Sequence, residues 1–163
     1  REKNCKIRLT VNRQRLNAVT KIARLPLPRI DEIIDSLGGG KVFSDFDMQS
    51  GYHQLVIDPQ SKELTAFWTP LGLYEWLVIP QGAAGALGAF ERVMFCVTDG
   101  LCKCYMYLDD AVLSRSTSSE DVERLASFFA RFEQHHLKLA PSKSRLGATS
   151  MVFLSHCITS EGR

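Results

Sequence analysis

Two adjacent aspartates, Asp109 and Asp110, interrupt an otherwise apolar stretch of the chain. The apolar runs on either side cover residues 104–108 and 111–115, and two such runs around a short polar break predict a β-hairpin. Like charges held this close raise each other's pKa and destabilise the fold unless a cation neutralises them. The alternative is a tight turn that exposes both carboxylates to solvent, since Asp is common in turns.

An earlier segment also ends in carboxylates. Residues 43–48, with the sequence FSDFDM, alternate so that Asp45 and Asp47 share one face of a strand. If this strand lies beside the hairpin, Asp47 meets Asp109 and Asp110 at one spot. Three such carboxylates can hold two Mg²⁺ ions about 3.5–4 Å apart, because magnesium prefers hard oxygen ligands. The second acidic segment therefore favours a two-metal site over a plain turn.

The rest of the chain alternates between helical and extended patterns. Apolar residues recur at helical spacing over residues 30–37, and the glycines that follow end this helix. Residues 80–90 predict a loop that leads into a helix reaching about residue 99. Strands are predicted at residues 5–12, 41–47, 52–57, 63–69, 73–79 and 151–158. This interleaved order predicts an α+β fold in which helices lie on one face of a sheet.

A last helix is predicted to start at the capping box of residues 117–120 and to end near residue 136. Its buried stripe is predicted to comprise Val122, Leu125, Phe129 and Phe132.

Composition places few limits on function. A chain of 163 residues, 45% hydrophobic and 23% charged, fits one globular domain. The chain has neither an apolar run long enough to cross a membrane nor a secretion-type start, so we expect an intracellular location and no membrane partner. The net charge of +2 neither requires nor excludes nucleic acid. Five scattered cysteines predict buried free thiols rather than disulfides, and the Cys102–Cys104 spacing is only a weak zinc signal.

Several blocks of sequence resemble reverse transcriptases. Residues 107–110, YLDD, resemble the family's Tyr-x-Asp-Asp box, and residues 43–54, FSDFDMQSGYHQ, resemble the block that carries its first catalytic aspartate. Further similarity, particularly to gypsy-class long-terminal-repeat retrotransposons, lies in LPLPRID (25–31), TAF (65–67), FLSH (153–156) and SEG (160–162). These blocks occur in the family's order and cover nearly the whole chain.

The resemblance implies a polymerase palm, an antiparallel sheet backed by helices, with part of the fingers and no thumb. Residues 1–163 would form a single partial domain, with fingers at about 1–40 and 55–80 and palm at about 41–54 and 81–163. The implied activity is that of an RNA-directed DNA polymerase core, which adds deoxynucleotides to a primer 3′ end by a two-metal mechanism. Its partners would be an RNA or DNA template with primer and deoxynucleoside triphosphates. Thumb, connection and RNase H segments would belong to a full-length polyprotein, so we expect weak or no activity from this chain alone.

The resemblance also assigns roles to individual residues. The catalytic and metal-binding residues would be Asp47, Asp109 and Asp110, with Mg²⁺ as cofactor and Mn²⁺ as an alternative. Nucleotide binding would involve Arg8, Tyr52, Gln81 and Lys3. Tyr52 corresponds to the residue beneath the incoming sugar, with a half-buried strand tyrosine as the alternative. Lys3 is alternatively a solvated lysine.

The primer grip would comprise Phe153, Leu154, Ser155 and His156, and His156 is alternatively a core histidine. The chain departs from the family at this hairpin, where Ser155 replaces the usual glycine. It also departs at residues 12–14, Asn-Arg-Gln in place of Asp-Tyr-Arg, and at Leu87 in place of proline. These departures keep a second hypothesis open, a non-catalytic and degenerate retroelement remnant that binds nucleic acid or serves as a structural module.

Overall fold

The computed structural model describes residues 10–22, 28–115 and 119–160. The helices in these ranges are α1 (Gln14–Val19), α2 (Ile30–Leu37), α3 (Ala86–Thr98) and α4 (Ser119–Gln134). The strands are β1 (Val42–Asp47), β2 (Phe67–Thr69), β3 (Gly72–Tyr74), β4 (Cys104–Tyr107), β5 (Asp110–Arg115), β6 (Arg145–Ala148), β7 (Ser150–Phe153) and β8 (His156–Thr159). Short 3₁₀ helices occupy Gly51–Gln54, Pro59–Ser61 and Glu63–Thr65.

A four-stranded antiparallel sheet forms the centre of the molecule, with the strand order β4-β5-β1-β6. The predicted hairpin is confirmed as β4–β5, and the predicted strand that ends at Asp47 is confirmed as β1, which pairs with β5. Two further hairpins, β2–β3 and β7–β8, stand outside this sheet. The α+β class and the antiparallel sheet backed by helices are therefore confirmed.

Each face of the central sheet carries its own apolar cluster. On one face, Phe46 of β1 and Leu113 of β5 pack against α3 and α4 in a cluster of nine buried residues: Phe46, Met48, Phe90, Met94, Val97, Ala111, Leu113, Phe128 and Phe132. On the other face, Phe43 and Val112 pack against α2 and the β7–β8 hairpin. The expectation of helices on one face only was wrong, because α2 covers the face opposite α3 and α4. Fully burying one such side chain contributes about 1.5–3 kcal/mol, so both layers hold the sheet in place.

The buried stripe of α4 differs from the predicted one. Phe128 is 0% and Phe132 2% exposed, whereas Val122 is 71% and Phe129 40% exposed. Phe128 stacks on Phe46 of β1 at a centroid distance of 4.7 Å. Phe129 also contacts Phe46, with a centroid distance of 5.5 Å, but Phe128 packs in addition on Phe132 at 4.3 Å. Two adjacent phenylalanines fit a helical stripe almost equally well in sequence, so the sequence pattern did not identify the buried one.

Three predicted strands are replaced by turns or shorter strands. The segment predicted as strand 52–57 begins as a 3₁₀ helix, and strands 63–69 and 73–79 shrink to β2 and β3. The hydroxyl of Thr65 explains part of this, because it donates to the Lys62 carbonyl oxygen at 2.6 Å and accepts from the Trp76 amide at 2.9 Å. Such local side-chain hydrogen bonds compete with strand pairing.

The predicted final strand, 151–158, is instead the β7–β8 hairpin, which reverses at Leu154 and Ser155. Helix α1 and strand β6 were not predicted. Most of the predicted strand 5–12 lies outside the described residues, and residues 10–12 form no regular element.

The described cysteines are free, as predicted, but three of them, Cys96, Cys102 and Cys157, are exposed rather than buried. Among the helices of the described ranges, none has the length and apolar character needed to cross a bilayer.

Candidate active site

The three predicted carboxylates meet at one end of the central sheet. Asp47, the last residue of β1, lies directly opposite Asp110, the first residue of β5, in the antiparallel register. Asp109 lies in the turn between β4 and β5, and its carbonyl oxygen accepts a hydrogen bond from the Met48 amide at 3.1 Å. Alternation along the strands places Asp47 and Asp110 on the face that carries α2 and the β7–β8 hairpin.

The turn that presents these acids is strained. Leu108 has a φ of 55°, in the left-handed region that residues other than glycine rarely adopt. This conformation costs roughly 1–2 kcal/mol for an L-residue. Such strain persists where the surrounding structure fixes it, here by the pairing of Tyr107 with Asp110.

The carboxylates carry unfavourable charge. Burial, followed by repulsion from Asp47, raises the pKa of Asp109 above its usual value. The pKa of Asp110 is raised by burial and then by Asp47, Asp109 and Asp45. In addition, Oδ1 of Asp109 is buried without a hydrogen-bond partner. A bound cation would remove each of these penalties.

A lysine that the sequence did not single out partly neutralises the cluster. Nζ of Lys143 donates to both carboxylate oxygens of Asp47, at 3.1 Å and 3.0 Å. This hydrogen bond, together with the charge of Asp47, raises the pKa of Lys143. Two residues further on, Arg145 pairs with Asp45 through Nε and Nη2 at 3.1–3.2 Å. No sequence motif predicted the contacts of Lys143 and Arg145 with the aspartates, because these contacts depend on the pairing of β6 with β1.

The carboxylate oxygens of Asp47, Asp109 and Asp110 suit a hard divalent cation, but their arrangement is not that of a preformed metal site. Within the described ranges, no group of three or more His, Cys, Asp or Glu side chains is placed to bind a metal ion directly. The ammonium group of Lys143 contacts the two Asp47 oxygens that such an ion would need. The three carboxylates are ligands of the type that magnesium prefers, but the oxygens of Asp47 are already hydrogen-bonded to Lys143.

Tyr52 packs against the apolar cluster that contains Phe46 and Phe90, and the charge of Asp109 acts on its phenol. It is half-buried on the 3₁₀ helix Gly51–Gln54 and packs on Phe90 with a centroid distance of 5.1 Å. Burial, then the charges of Asp109 and Glu91, raises the pKa of Tyr52 above its usual value. The alternative of a strand tyrosine was wrong about the backbone, because the segment is helical.

The β7–β8 hairpin reaches the same place. A small polar cavity of about 100 Å³ is lined by Asp45, Phe46, Asp47, Asp110, Lys143, Val152, Phe153 and Leu154. Phe153 is buried, and Leu154 and Ser155 form the turn with φ values of 48° and 67°. His156 pairs with Phe153 across the hairpin and is half-buried rather than a fully buried core residue.

The remaining predicted site residues are Gln81, Arg8 and Lys3, of which the structure describes only Gln81. Gln81 is exposed in the loop before α3, and Asn17 of α1 anchors this loop by accepting from the Ala84 amide and donating to the Gly82 carbonyl oxygen, both at 2.9 Å. Arg8 and Lys3 lie outside the described residues. A larger cavity of about 350 Å³ lies between α4 and the opposite face of the sheet, away from the aspartates.

Known proteins share this sequence and fold. Residues 2–158 match the family model described as reverse transcriptase (RNA-dependent DNA polymerase). The retrovirus-related Pol polyprotein from transposon 412 of Drosophila melanogaster is 32% identical over 96% of this chain and 13% of its own length. Polyprotein P3 of Commelina yellow mottle virus is 34% identical over 94% of this chain and 8% of its own length. The chain thus spans a small part of these relatives.

Two solved structures of the foamy viral protease-reverse transcriptase are similar in fold. The complex with double-stranded DNA has a TM-score of 0.85 at 24% identity and covers 91% of this chain and 26% of that one. The complex with an RNA/DNA hybrid has a TM-score of 0.86 at 22% identity and covers 93% and 21%. Because the relatives include both transposon and virus proteins, the gypsy-class detail stays a prediction. The chain belongs to the reverse transcriptase family, and its sheet and helices form the palm-type fold of that family's polymerase domain.

Proposed function

We propose that this chain is the core of an RNA-directed DNA polymerase, which adds deoxynucleotides to a primer 3′ end. The observation that carries the proposal is the register of β1 and β5, which sets Asp47 opposite Asp110 with Asp109 in the adjoining turn. Carboxylates from two strands, joined only through the fold, form the type of site that two-metal phosphoryl transfer uses.

Mg²⁺, or Mn²⁺ in its place, fits the three aspartates. The buried, unpartnered Oδ1 of Asp109 and the raised pKa values of Asp109 and Asp110 are the features that a cation would stabilise. When bound, two such ions lower the pKa of the attacking hydroxyl and stabilise charge on the transferred phosphoryl group. Asp47, Asp109 and Asp110 would hold these ions by their carboxylate oxygens.

The other predicted residues would surround the nucleotide and primer. The ring of Tyr52, held against Phe90, would lie beneath the sugar and disfavour a 2′-hydroxyl. Gln81 would line the nucleotide pocket, and Arg8 and Lys3 would bind the triphosphate. The β7–β8 turn, which lines the same cavity as Asp47 and Asp110, would position the primer end.

Nucleic acid is the proposed partner. The foamy viral relatives were solved with double-stranded DNA and with an RNA/DNA hybrid, and we extend this partner class to the present chain. Affinity for a duplex grows with the number of phosphate contacts, and this chain spans only 13% of the transposon 412 polyprotein. We therefore expect feeble activity from the chain alone.

Single-nucleotide incorporation tests the proposal without requiring processivity. The chain, in excess over an RNA template with a labelled DNA primer, is incubated with the complementary deoxynucleotide and Mn²⁺ at low salt. We expect slow extension by one nucleotide, reduced on the order of 10²-fold or more by Asp110→Asn. Asp99→Asn, an exposed aspartate at the end of α3, is the matched control and should retain the wild-type rate.

Extension that is equal in the wild type and Asp110→Asn would refute the assignment of the carboxylates. Metal-independent duplex binding without extension would instead favour the hypothesis of a non-catalytic remnant.

A further inference from the structure

Lys143 is held in place by the backbone and does not reach Asp47 by chance. The loop between α4 and β6 is hydrogen-bonded to the end of β1: the Gln49 amide donates to the Lys138 carbonyl oxygen at 3.0 Å, and the Ala140 amide donates to the Asp47 carbonyl oxygen at 2.8 Å. The amide of Lys143 then donates to the Ala140 carbonyl oxygen at 3.0 Å, closing a turn. The fold therefore delivers an ammonium group to Asp47.

The neighbouring cation makes a different kind of contact. Arg145 grips Asp45 with two nitrogens of its planar guanidinium group, a geometry that fixes both partners. The single Nζ of Lys143 touches both oxygens of Asp47 as a point charge on a flexible chain. The Lys143 side chain is 65% exposed, whereas that of Asp47 is 25% exposed. Lys143 can therefore swing into solvent without disturbing the core.

From these contacts we propose that Lys143 is a displaceable internal cation, which neutralises Asp47 when metal is absent and must leave it before a divalent ion binds. The proposal rests on the proposed metal site and adds a residue that sets its affinity. Displacement of Lys143 explains why the carboxylates suit magnesium although the described residues contain no preformed metal site. The lysine holds the acids together in the metal-free fold and competes with the metal for the same oxygens.

Binding of Mn²⁺ alone, without nucleotide or nucleic acid, tests this role. Free Mn²⁺ is counted by its electron paramagnetic resonance signal in titrations at fixed pH and ionic strength. We expect Lys143→Gln to bind Mn²⁺ about tenfold more tightly than the wild type, equivalent to ~1.4 kcal/mol. Lys143→Arg keeps the charge and can contact both carboxylate oxygens with two separate nitrogens, so its affinity for Mn²⁺ should equal or fall below that of the wild type.

Two controls separate the role of the contact from other effects. Lys138→Gln removes an exposed positive charge from the same loop. The hydrogen bonds between Lys138 and Gln54 involve the backbone of Lys138, so the substitution leaves them in place. Because exposed charges are screened, Mn²⁺ affinity should change by no more than about twofold. Asp109→Asn should abolish the binding. Thermal unfolding in EDTA is measured in parallel, since a purely structural lysine would lower the melting temperature of Lys143→Gln and leave Mn²⁺ affinity unchanged.

An affinity of Lys143→Gln no higher than that of Lys138→Gln would overturn the inference while leaving the metal site intact. If the wild type and Lys143→Gln both fail to bind Mn²⁺, the proposed metal site is wrong and the role of Lys143 falls with it.

Discussion

Asp110 should destabilise the metal-free protein, and this follows directly from its surroundings. Its carboxylate lies opposite Asp47, next to Asp109 and near Asp45, with Lys143 as the cation that offsets this charge. Replacement by Asn keeps the size of the side chain and removes the charge. We therefore expect Asp110→Asn to be more stable than the wild type at neutral pH when divalent ions are chelated.

The strand register sets the distance between the charges of Asp47 and Asp110, and thereby the size of their repulsion. Directly opposed residues in an antiparallel pair have Cβ atoms about 4.5–5.5 Å apart. Two unit charges ~5 Å apart repel by about 0.8 kcal/mol at the dielectric constant of water and by about 3 kcal/mol at an effective value of 20. Attraction to Lys143 cancels part of this repulsion. A net gain of about 1 kcal/mol remains, or roughly 2–4 °C in melting temperature for a domain of this size.

The difference in stability between Asp110→Asn and the wild type should depend on pH. Because the pKa of Asp110 is raised in the folded state, the folded protein binds this proton more tightly than the unfolded chain does. The wild type therefore loses stability as pH rises from the usual Asp value near 4 through the raised pKa, and Asp110→Asn does not. The advantage of the variant should be small near pH 4 and should grow as pH rises through the raised pKa of Asp110.

Urea denaturation at several pH values, in EDTA and again with Mn²⁺, is the assay. With Mn²⁺ the order should reverse, because only the wild type retains all three carboxylates. Asp45→Asn is the matched control, since this aspartate is already paired with Arg145 and its replacement should be neutral or destabilising. If Asp110→Asn is no more stable than the wild type at pH 7, or gains as much stability at pH 4 as at pH 7, charge repulsion at Asp110 does not destabilise the metal-free protein.

Three further outcomes follow from the structure. Ser155→Gly should stabilise the chain by about 0.5–1 kcal/mol in urea denaturation, because Ser155 has a φ of 67° and glycine adopts this region without strain; an unchanged midpoint would contradict this. Gly51→Ala should lower the free energy of unfolding by about 1–3 kcal/mol, because a Cβ at this position would lie 2.9 Å from the buried ring of Phe90. Gly85→Ala should lower it much less, because the space around Gly85 is open. Burial raises the pKa of Cys104 to about 12. Iodoacetamide at pH 8 should therefore label Cys104 roughly a thousand-fold more slowly than the exposed cysteines, as measured by mass spectrometry. Equal labelling rates would show that the Cys104 thiol is accessible.

The sequence alone was sufficient for the parts of the protein whose signals are local. Helix α2 ends where its glycines begin, and the apolar runs around Asp109 and Asp110 form the expected hairpin. The family resemblance, carried by ordered motifs, is confirmed by the match over residues 2–158. The roles of the individual site residues stay predictions.

Local patterns failed where several arrangements satisfy them equally. The largely apolar residues 151–158 were predicted as one strand, yet two residues in the left-handed region turn them into a hairpin. Phe128 and Phe129 are equivalent in the helical pattern, and both rings contact Phe46, yet Phe128 is fully buried whereas Phe129 is 40% exposed.

Alternation and spacing in the sequence were enough to identify the carboxylates at strand ends, Asp47, Asp109 and Asp110, to which we assign the chemistry as a proposal. The tertiary structure alone decided that Asp47 faces Asp110 and that Lys143 binds Asp47 across a separation of 96 residues. The physical reason is that strand pairing and side-chain contact depend on distance in space, whereas local propensity carries no information about which distant segment will lie alongside.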